Sequence, residues 1–299
     1  MRKVAVITDS NSGITSAEAG CLGVAVVPMP FFIDGELYLE GVDLTHDKFY
    51  SFLNNGADVS TSQPSMSDIL DSWNKALETC DEVVYLPMTS ALSSSYQTAL
   101  MLAEDFGGKV QVVDNKRISC TLKQSVLEAV HLANQGYTAC EIREILEREA
   151  LNASIYITVD TLKYLKKGGR ITPTAASIGT VLNIKPVLQI QGGRLDAYSK
   201  VRGMKAAKNA MLDAAETDIK VRFADRPCTI RGAYSCSAEE AAQWHDEICA
   251  RFPGYDVRLD PLTLSIACHI GPGAVAITVT PHLPETGEVK DSIPAPSAN

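Results

Sequence analysis

Residues 83–86, V-V-Y-L, run into residues 89–99, T-S-A-L-S-S-S-Y-Q-T-A, and the order of those two stretches decides the fold. Four consecutive apolar residues mark a strand buried on both faces. Thr98–Asp105, which follows, has the Ala, Leu, Met and Glu content of a helix. A buried strand that opens into hydroxyls and then a helix is where an open α/β sheet meets a ligand. Ser93 falls near the helix N-cap, where its oxygen satisfies backbone N–H groups. Ser94 and Ser95 are then expected to face outward, toward a carboxylate or phosphate. On this stretch alone, plain capping accounts for the serines as well.

Upstream, Val4–Ile7 is a short strand that ends in T-D-S-N-S-G at 8–13. Asp9 there either binds a metal or, more commonly for an Asp in this setting, forms a turn. Ser16–Leu22 reads as a helix, Val24–Val27 as a strand, and Phe31–Gly41 as a hairpin around Asp34-Gly35. Thr45 caps a helix with Phe49, Phe52 and Leu53 at helical spacing, ended by Asn55-Gly56. In V-S-T-S-Q-P-S at 59–65, Pro64 bars a helix until Ser65 or Ser67 caps Asp68–Thr79. Three loops, after Ile7, Val59 and Leu86, thus present hydroxyls at strand ends, and three such turns on one sheet edge exceed what capping requires. Val110–Val113 is a further strand, Thr121–Asn134 an amphipathic helix, and Cys140–Ala150 a charged helix with a solvated face. The alternation predicts a parallel, right-handed, doubly wound sheet.

The pattern restarts near residue 153. Ile155–Val159 is a strand, Leu162–Lys166 a helical turn closed by K-K-G-G-R at 166–170, and Ala175–Leu182 a helix. Pro186 within the strand Ile184–Ile190 predicts an edge position or a late start. Gly192-Gly193 forms a hairpin turn and Gly203–Thr217 a helix. Thr229–Tyr234, Ala238–Arg251 and Asp256–Leu259 give strand, helix, strand, and H-I-G-P-G at 269–273 opens a last strand, Ala274–Val279. The expected fold is α/β, with a parallel-sheet lobe over 1–152 and a smaller α/β lobe over 153–281. Residues 282–299 are rich in Pro, Glu and Ser without periodicity and are expected to be a disordered tail.

Composition excludes several functions. The chain has 299 residues, long enough for two cores, with a net charge of −9. That charge argues against nucleic acid and against docking on an anionic membrane. No apolar run approaches the ~20 residues of an integral membrane segment. The N-terminus lacks an apolar secretory core and reads as a first strand; it is the cysteine usage that gives the expectation of a cytoplasmic protein. The eight cysteines form no C-x-x-C pair, and only Cys268 adjoins a histidine. They are expected to be reduced, mostly buried thiols, with no metal site.

The blocks T-S-Q-P-S (61–65), L-S-S-S-Y-Q-T-A (92–99), L-K-K-G-G-R-I (165–171), L-N-I-K-P-V-L (182–188), K-V-R-G (200–203) and H-I-G-P-G (269–273) occur in that order after the opening T-D-S. Each is weak alone; together, over roughly residues 1–280, they closely resemble the DegV family of bacterial fatty-acid-binding proteins. One departure stands out. Ser94-Ser95 replace the usual Gly-Thr, adding side chain that narrows the headgroup pocket or supplies an extra donor.

The resemblance implies a two-lobed fold that grips one long-chain fatty acid, such as palmitate, stearate or oleate, with its tail in a tunnel between the lobes. It implies a carrier without turnover of its own and without a cofactor. The carrier presents its lipid to a separate fatty acid kinase and passes the acyl-phosphate to an acyltransferase for phospholipid synthesis. On this resemblance Thr61 and Ser93 hydrogen-bond the carboxylate, with Ser94 beside them. Arg170 and His269 complete the headgroup network, and Arg202 lies near the tunnel mouth in contact with the kinase.

The chemistry is self-consistent: a buried carboxylate needs several good donors. Tunnel candidates are Leu77, Leu100, Ile178, Val181, Leu182, Val187 and Ile190, each of which also fits plain core packing. Two other functions remain open. A serine hydrolase would use Ser93 with His269 as base, but no G-x-S-x-G elbow is present. A phosphate or sugar-phosphate binder would use the hydroxyl loops, but a P-loop lysine is lacking. A monomer is expected.

Overall fold

The computed structural model describes residues 2–176 and 184–289. In chain order the first half comprises β1 (Val4–Asp9), α1 (Ser16–Leu22), β2 (Ala25–Val27), β3 (Pro30–Ile33), β4 (Glu36–Leu39), α2 (His46–Asn54), β5 (Val59–Thr61), α3 (Met66–Leu77), β6 (Glu82–Leu86), α4 (Ser95–Ala103), β7 (Val110–Val112), α5 (Cys120–Asn134) and α6 (Ala139–Arg148). The second half comprises β8 (Ser154–Thr158), α7 (Lys163–Gly168), α8 (Pro173–Ala176), β9 (Ile184–Ile190), β10 (Asp196–Arg202), α9 (Met204–Thr217), β11 (Cys228–Tyr234), α10 (Ala238–Arg251), β12 (Arg258–Pro261), α11 (Leu264–Ile270) and β13 (Val275–Pro281).

The first sheet has the order β2-β1-β6-β7, and every pair in it is parallel. Alternation along β6 explains its burial on both sides. Val83 and Tyr85 pack with Ile69, Trp73 and Ala99 of α3 and α4, while Val84 and Leu86 point into the core shared with α5 and α6. The doubly wound expectation for this lobe therefore holds. The loop after Val59 does not share that edge, however, because β5 belongs to a separate antiparallel sheet, β4-β3-β5.

The second sheet, β10-β9-β8-β13-β11-β12, is mixed, with only β11 and β12 parallel. The lobe expected to be smaller carries the larger sheet. Pro186 does not lie on an edge strand, since β9 is flanked by β8 and β10. The β8 ladder starts only at Val187, so the missing N–H disrupts nothing on that side. Ile184–Ile190 was expected to follow a helix over Ala175–Leu182; α8 ends at Ala176, and Ile178, Val181 and Leu182 lie outside the described residues.

Each lobe has a core of its own, around Trp73 and Tyr85 in the first and Met211 and Trp244 in the second, and a third core joins them. The joining core runs from Val84 and Leu86 through Leu122 and Val126 of α5 to Ile157, Leu188 and Ala276 of the second sheet. Expected to be amphipathic, α5 is instead buried nearly all round, including Lys123, Gln124 and Glu128. Its polar face is turned inward because charged partners wait there: Arg117 lies 3.5 Å from Glu128, and Lys123 meets Glu18 at 2.7 Å. The expected tail is corrected over its first residues. Leu283 is buried, and the Arg226 guanidinium donates to the His282 carbonyl at 2.6 Å. Residues 290–299 lie outside the described residues. All eight cysteines are free, but Cys21 and Cys140 are exposed and only Cys120, Cys228 and Cys268 are buried. Among the described residues no helix is long and apolar enough to cross a membrane.

Candidate functional site

A cavity of about 720 Å³ lies where the first sheet, the small sheet and the second lobe meet, a volume suited to a medium-sized ligand. Thr61, Ser93, Ser94, Arg170 and His269 all line it, although they come from β5, the loop after β6, the end of α7 and α11. Arg202 does not. It is exposed at the far end of β10, and a strand of that length carries it roughly 20 Å from the hairpin tip that does reach the cavity. Leu77, Leu100, Val187 and Ile190 are not in the lining either. Leu100 is exposed on α4, and Val187 and Ile190 belong to packed cores. The apolar wall is instead made by Met29, Met88, Leu92, Ile118, Leu165 and Ile266, among others.

His269 was expected in a loop opening the last strand. It sits in the last turn of α11, and its Nε2 lies 2.8 Å from Thr61 Oγ1. Burial, and then the nearby Arg170 charge, lower its pKa to about 4, so the imidazole is neutral at pH 7. If Nε2 carries the proton and donates to Thr61, the threonine hydroxyl is free to donate into the cavity; the other tautomer would consume that proton. Gly168 makes this seating feasible. A Cβ there would come within 2.3 Å of His269 Nδ1, so any other residue would push the ring off Thr61.

Ser93 is set by a similar relay. Its Oγ accepts from the Ser95 backbone N–H at 3.2 Å and lies 2.7 Å from Ser95 Oγ. Ser95, expected to face outward, is fully buried and its hydroxyl finds its partner in Ser93; when Ser95 is the donor, the Ser93 proton is left for a ligand. Ser94 occupies the helix N-cap without a side-chain capping bond and faces the cavity. Of the two residues that depart from the usual Gly-Thr, only Ser94 therefore alters the pocket. The loop is braced from outside by Ser90 Oγ, which donates to Asp114 at 2.6 Å, and by the Thr89 N–H, which donates to the Arg117 carbonyl at 2.9 Å.

Asp9 does not face the cavity as a metal ligand. Its carboxylate accepts from Asn11 and from the Met88 N–H at 2.9 Å, and burial raises its pKa to about 6. It fixes the turn that places Asn11 in the cavity floor. Beside it Ser265 Oγ donates to Asn11 Oδ1 at 2.7 Å, and Ser10 Oγ donates to Glu40 at 2.6 Å. Burial pushes Glu40 up to about 7. Residues such as Gln63, Gln97, Arg194 and Ser265 were not singled out in the sequence, yet they line the site. Gln63 stood within a quoted block, and Arg194 directly follows a Gly-Gly turn.

These shifts have a stability consequence. A carboxyl raised by folding stabilises below its unfolded pKa, and that contribution is lost as pH rises through 6 to 7. His269, depressed by folding, acts oppositely, but only below about 6.5. Between pH 6.5 and 8 the carboxyl effect acts alone, and the melting temperature is expected to fall by about 2 °C for Glu40. A calorimetric melting temperature that rises across that window would contradict this balance.

Comparison with known proteins gives a consistent picture. The profile of the DegV family, described as uncharacterised proteins, matches residues 3–282. A DegV domain-containing protein of Deinococcus radiodurans is 34% identical over 281 residues, covering 93% of this chain and 98% of that protein. Among solved structures, a DegV family protein from Thermus thermophilus, described as binding fatty acid, superposes with a TM-score of 0.86 at 32% identity, covering 94% of this chain and all of that one. A fatty acid binding DegV family protein from Streptococcus agalactiae gives 0.84 at 28% identity, covering 94% and 100%. A stearic acid-binding protein from Eubacterium ventriosum gives 0.81 at 26% identity, covering 93% and 98%. The chain belongs to the DegV family.

Proposed function

We propose, from membership of the DegV family as the premise, that this protein binds one long-chain fatty acid with its carboxylate at Thr61 and Ser93 and its chain along the apolar wall. The observation that carries the reading is the charge pattern of the cavity. In a chain of net charge −9, no carboxylate lines it among the described residues, whereas Arg170 and Arg194 do. A carboxylate headgroup would find two hydroxyl donors and a guanidinium. A 16-carbon tail contributes on the order of 10 kcal/mol gross from methylene burial, enough to compete with a membrane for the lipid. The relatives named above, described as fatty acid binding, support the same class of ligand.

The family resemblance extends this to a cytoplasmic carrier that presents the carboxylate to a fatty acid kinase and delivers the product to an acyltransferase. The site geometry favours carrying over hydrolysis. Ser93 is bonded to Ser95 rather than to His269, and His269 is bonded to Thr61, so His269 is not placed as a base for Ser93. A simple phosphate binder would have little use for the apolar half of the wall. Native mass spectrometry of the purified protein is the direct test, with a co-purified C14–C18 acid as the expected result. Protein that stays empty when palmitate, stearate and oleate are supplied would overturn the reading.

A further inference from the structure

We propose that Glu40, which does not line the cavity, is a positioning residue for it: its carboxylate holds the cavity floor in one hydrogen-bonded chain, and its ionisation state sets how tightly the cavity holds an anionic long-chain ligand. The proposal rests on the lipid-carrier reading above.

The chain joins three parts of the fold. Glu40 directly follows β4 of the small sheet. Its Oε1 accepts from the Leu264 N–H at the start of α11, and its Oε2 accepts from Ser10 Oγ at 2.6 Å and lies 3.1 Å from Ser265 Oγ. One carboxylate thus ties the sheet that carries Thr61 to the loop after β1 and to the helix that carries His269. Ser265 Oγ lies 2.7 Å from Asn11 Oδ1, Asn11 Nδ2 donates to Asp9 at 3.0 Å, and Asp9 accepts from the Met88 N–H at 2.9 Å. Asn11, Met88 and Ser265 line the cavity, while Glu40 lies outside the lining.

The Ser265 hydroxyl has one proton, and the Glu40 carboxylate and the Asn11 carbonyl oxygen both lie within reach of it. An ionised Glu40 competes with Asn11 for that proton. A protonated Glu40 becomes a donor itself, and the Ser265 proton stays on Asn11, which fixes the floor. Burial pushes the Glu40 carboxyl up to about 7 and Asp9 up to about 6, so of the two ends of the chain Glu40 is the one that titrates at neutral pH.

The charged groups around Glu40 are engaged with one another. On the side away from the cavity, Lys123 lies 2.7 Å from Glu18 and 3.6 Å from Asp260, one positive charge against two negative. All three line a second pocket together with Glu40. His46, in that pocket too, lies 3.2 Å from the Leu262 carbonyl, and Asp43 accepts from the Leu39 N–H. On the cavity side stand His269, neutral at pH 7, with Arg170 and Arg194.

An anionic headgroup works against a charge on Glu40. Ser265 and His269 are four positions apart in α11, so their side chains share a face roughly 6 Å apart. A carboxylate held at Thr61 and His269 therefore stands one helical turn from Ser265, with the Glu40 carboxylate just behind it. Two like charges at that separation repel, and binding favours the protonated form of Glu40. A proton is therefore taken up with the ligand near pH 7, and affinity falls as pH rises past 7.

The test uses delipidated wild type and Glu40→Gln, with palmitate as the anionic probe and hexadecanol as the uncharged one, between pH 6.5 and 8.5, where His269 stays neutral. Wild type is expected to lose about fivefold in palmitate affinity across that window, the effect of a like charge roughly 10 Å away, and less than twofold in hexadecanol affinity. Calorimetry at pH 7.5 in two buffers of different ionisation enthalpy should show proton uptake with palmitate. Glutamine keeps an oxygen for the Leu264 N–H and donates toward the serines, as the protonated carboxyl does. Glu40→Gln should therefore bind palmitate at pH 8.5 about as tightly as wild type does at pH 6.5, without proton uptake. A variant that binds both probes more weakly at every pH would show a merely structural Glu40, and undiminished uptake in the variant would place the proton elsewhere; either overturns the proposal. So does wild type without pH dependence or uptake, a result that needs no variant to fold. These outcomes leave the carrier reading standing, whereas wild type that binds neither probe removes it, and this proposal with it.

Discussion

Thr61→Ala combined with Ser93→Ala is expected to weaken palmitate binding by roughly 30- to 1000-fold, or ~2–4 kcal/mol, in a fluorescence displacement titration. Each hydrogen bond to a charged acceptor contributes ~1.5–3 kcal/mol, and both are lost at once. The two substitutions also act differently on what they leave behind. Without the Thr61 hydroxyl, His269 Nε2 loses its partner at 2.8 Å and the imidazole is free to turn. Without Ser93, the buried Ser95 hydroxyl loses its partner at 2.7 Å and has to find another. The single variants should therefore each cost more than half of the double, because each disturbs the neighbour that held it. Both positions are half-buried at the cavity and not in a packed core, so the double variant should melt within a few degrees of wild type. An affinity unchanged in the double variant would remove both residues from the headgroup site.

The sequence revealed the elements whose burial is unambiguous. V-V-Y-L at 83–86 is packed on both faces, and continuous apolar runs of that length have few alternatives. Gly169 after two lysines signals a left-handed C-cap, and its φ is +67°. Residues that meet across the fold carry no such local signal. Thr61 and His269 are 208 positions apart, and only the family resemblance suggested that they share a site. Helix α11 was missed because its seven residues, L-S-I-A-C-H-I, are too few for a helical period, and Thr263 at its N-cap makes no side-chain capping bond. The cavity wall was misassigned because apolar spacing reports burial, not whether a neighbour or a void lies beyond. Met29, Ile118 and Leu165 line the void, while Val187, with the same local pattern, fills a core. Arg194 escaped notice because a Gly-Gly turn gives the hairpin but not the direction of its tip.

The largest effect on stability is expected at a residue that touches no ligand. Arg117→Leu should lower stability by ~3–5 kcal/mol, since it strands a buried charge. Arg117 is only 2% exposed. Its guanidinium donates to Ser125 Oγ at 2.9 Å and to the Glu149 carbonyl at 3.0 Å, and it lies 3.5 Å from Glu128. Leucine would take the guanidinium from Glu128, which keeps the Gln124 amide at 3.2 Å, and one of two donors from the Glu149 carbonyl, which keeps the Asn152 N–H at 2.9 Å. If the orphaned charge is the cause, the double variant Arg117→Leu with Glu128→Leu should be more stable than the single, because removing both partners also removes the desolvated ion. A double variant that melts below the single would show that packing volume dominates instead.

The same substitution should reach the headgroup site. Arg117 lies in the loop from Asp114 to Ser119, in which Lys116 and Ser119 have positive φ of 56° and 55°. Non-glycine residues hold such conformations only when their surroundings enforce them. The Ser119 N–H donates to the Asn11 carbonyl at 3.0 Å, and the Arg117 carbonyl accepts from the Thr89 N–H at 2.9 Å. One strained loop thereby ties the cavity floor to the loop that carries Ser93. Below its melting temperature, Arg117→Leu should therefore bind palmitate several-fold more weakly than wild type, and the double variant should regain stability more fully than affinity, because leucine at both positions cannot re-anchor that loop. Recovery of both in parallel would mean that the loop keeps its shape without the guanidinium, and that the coupling between the core ion pair and the site is absent.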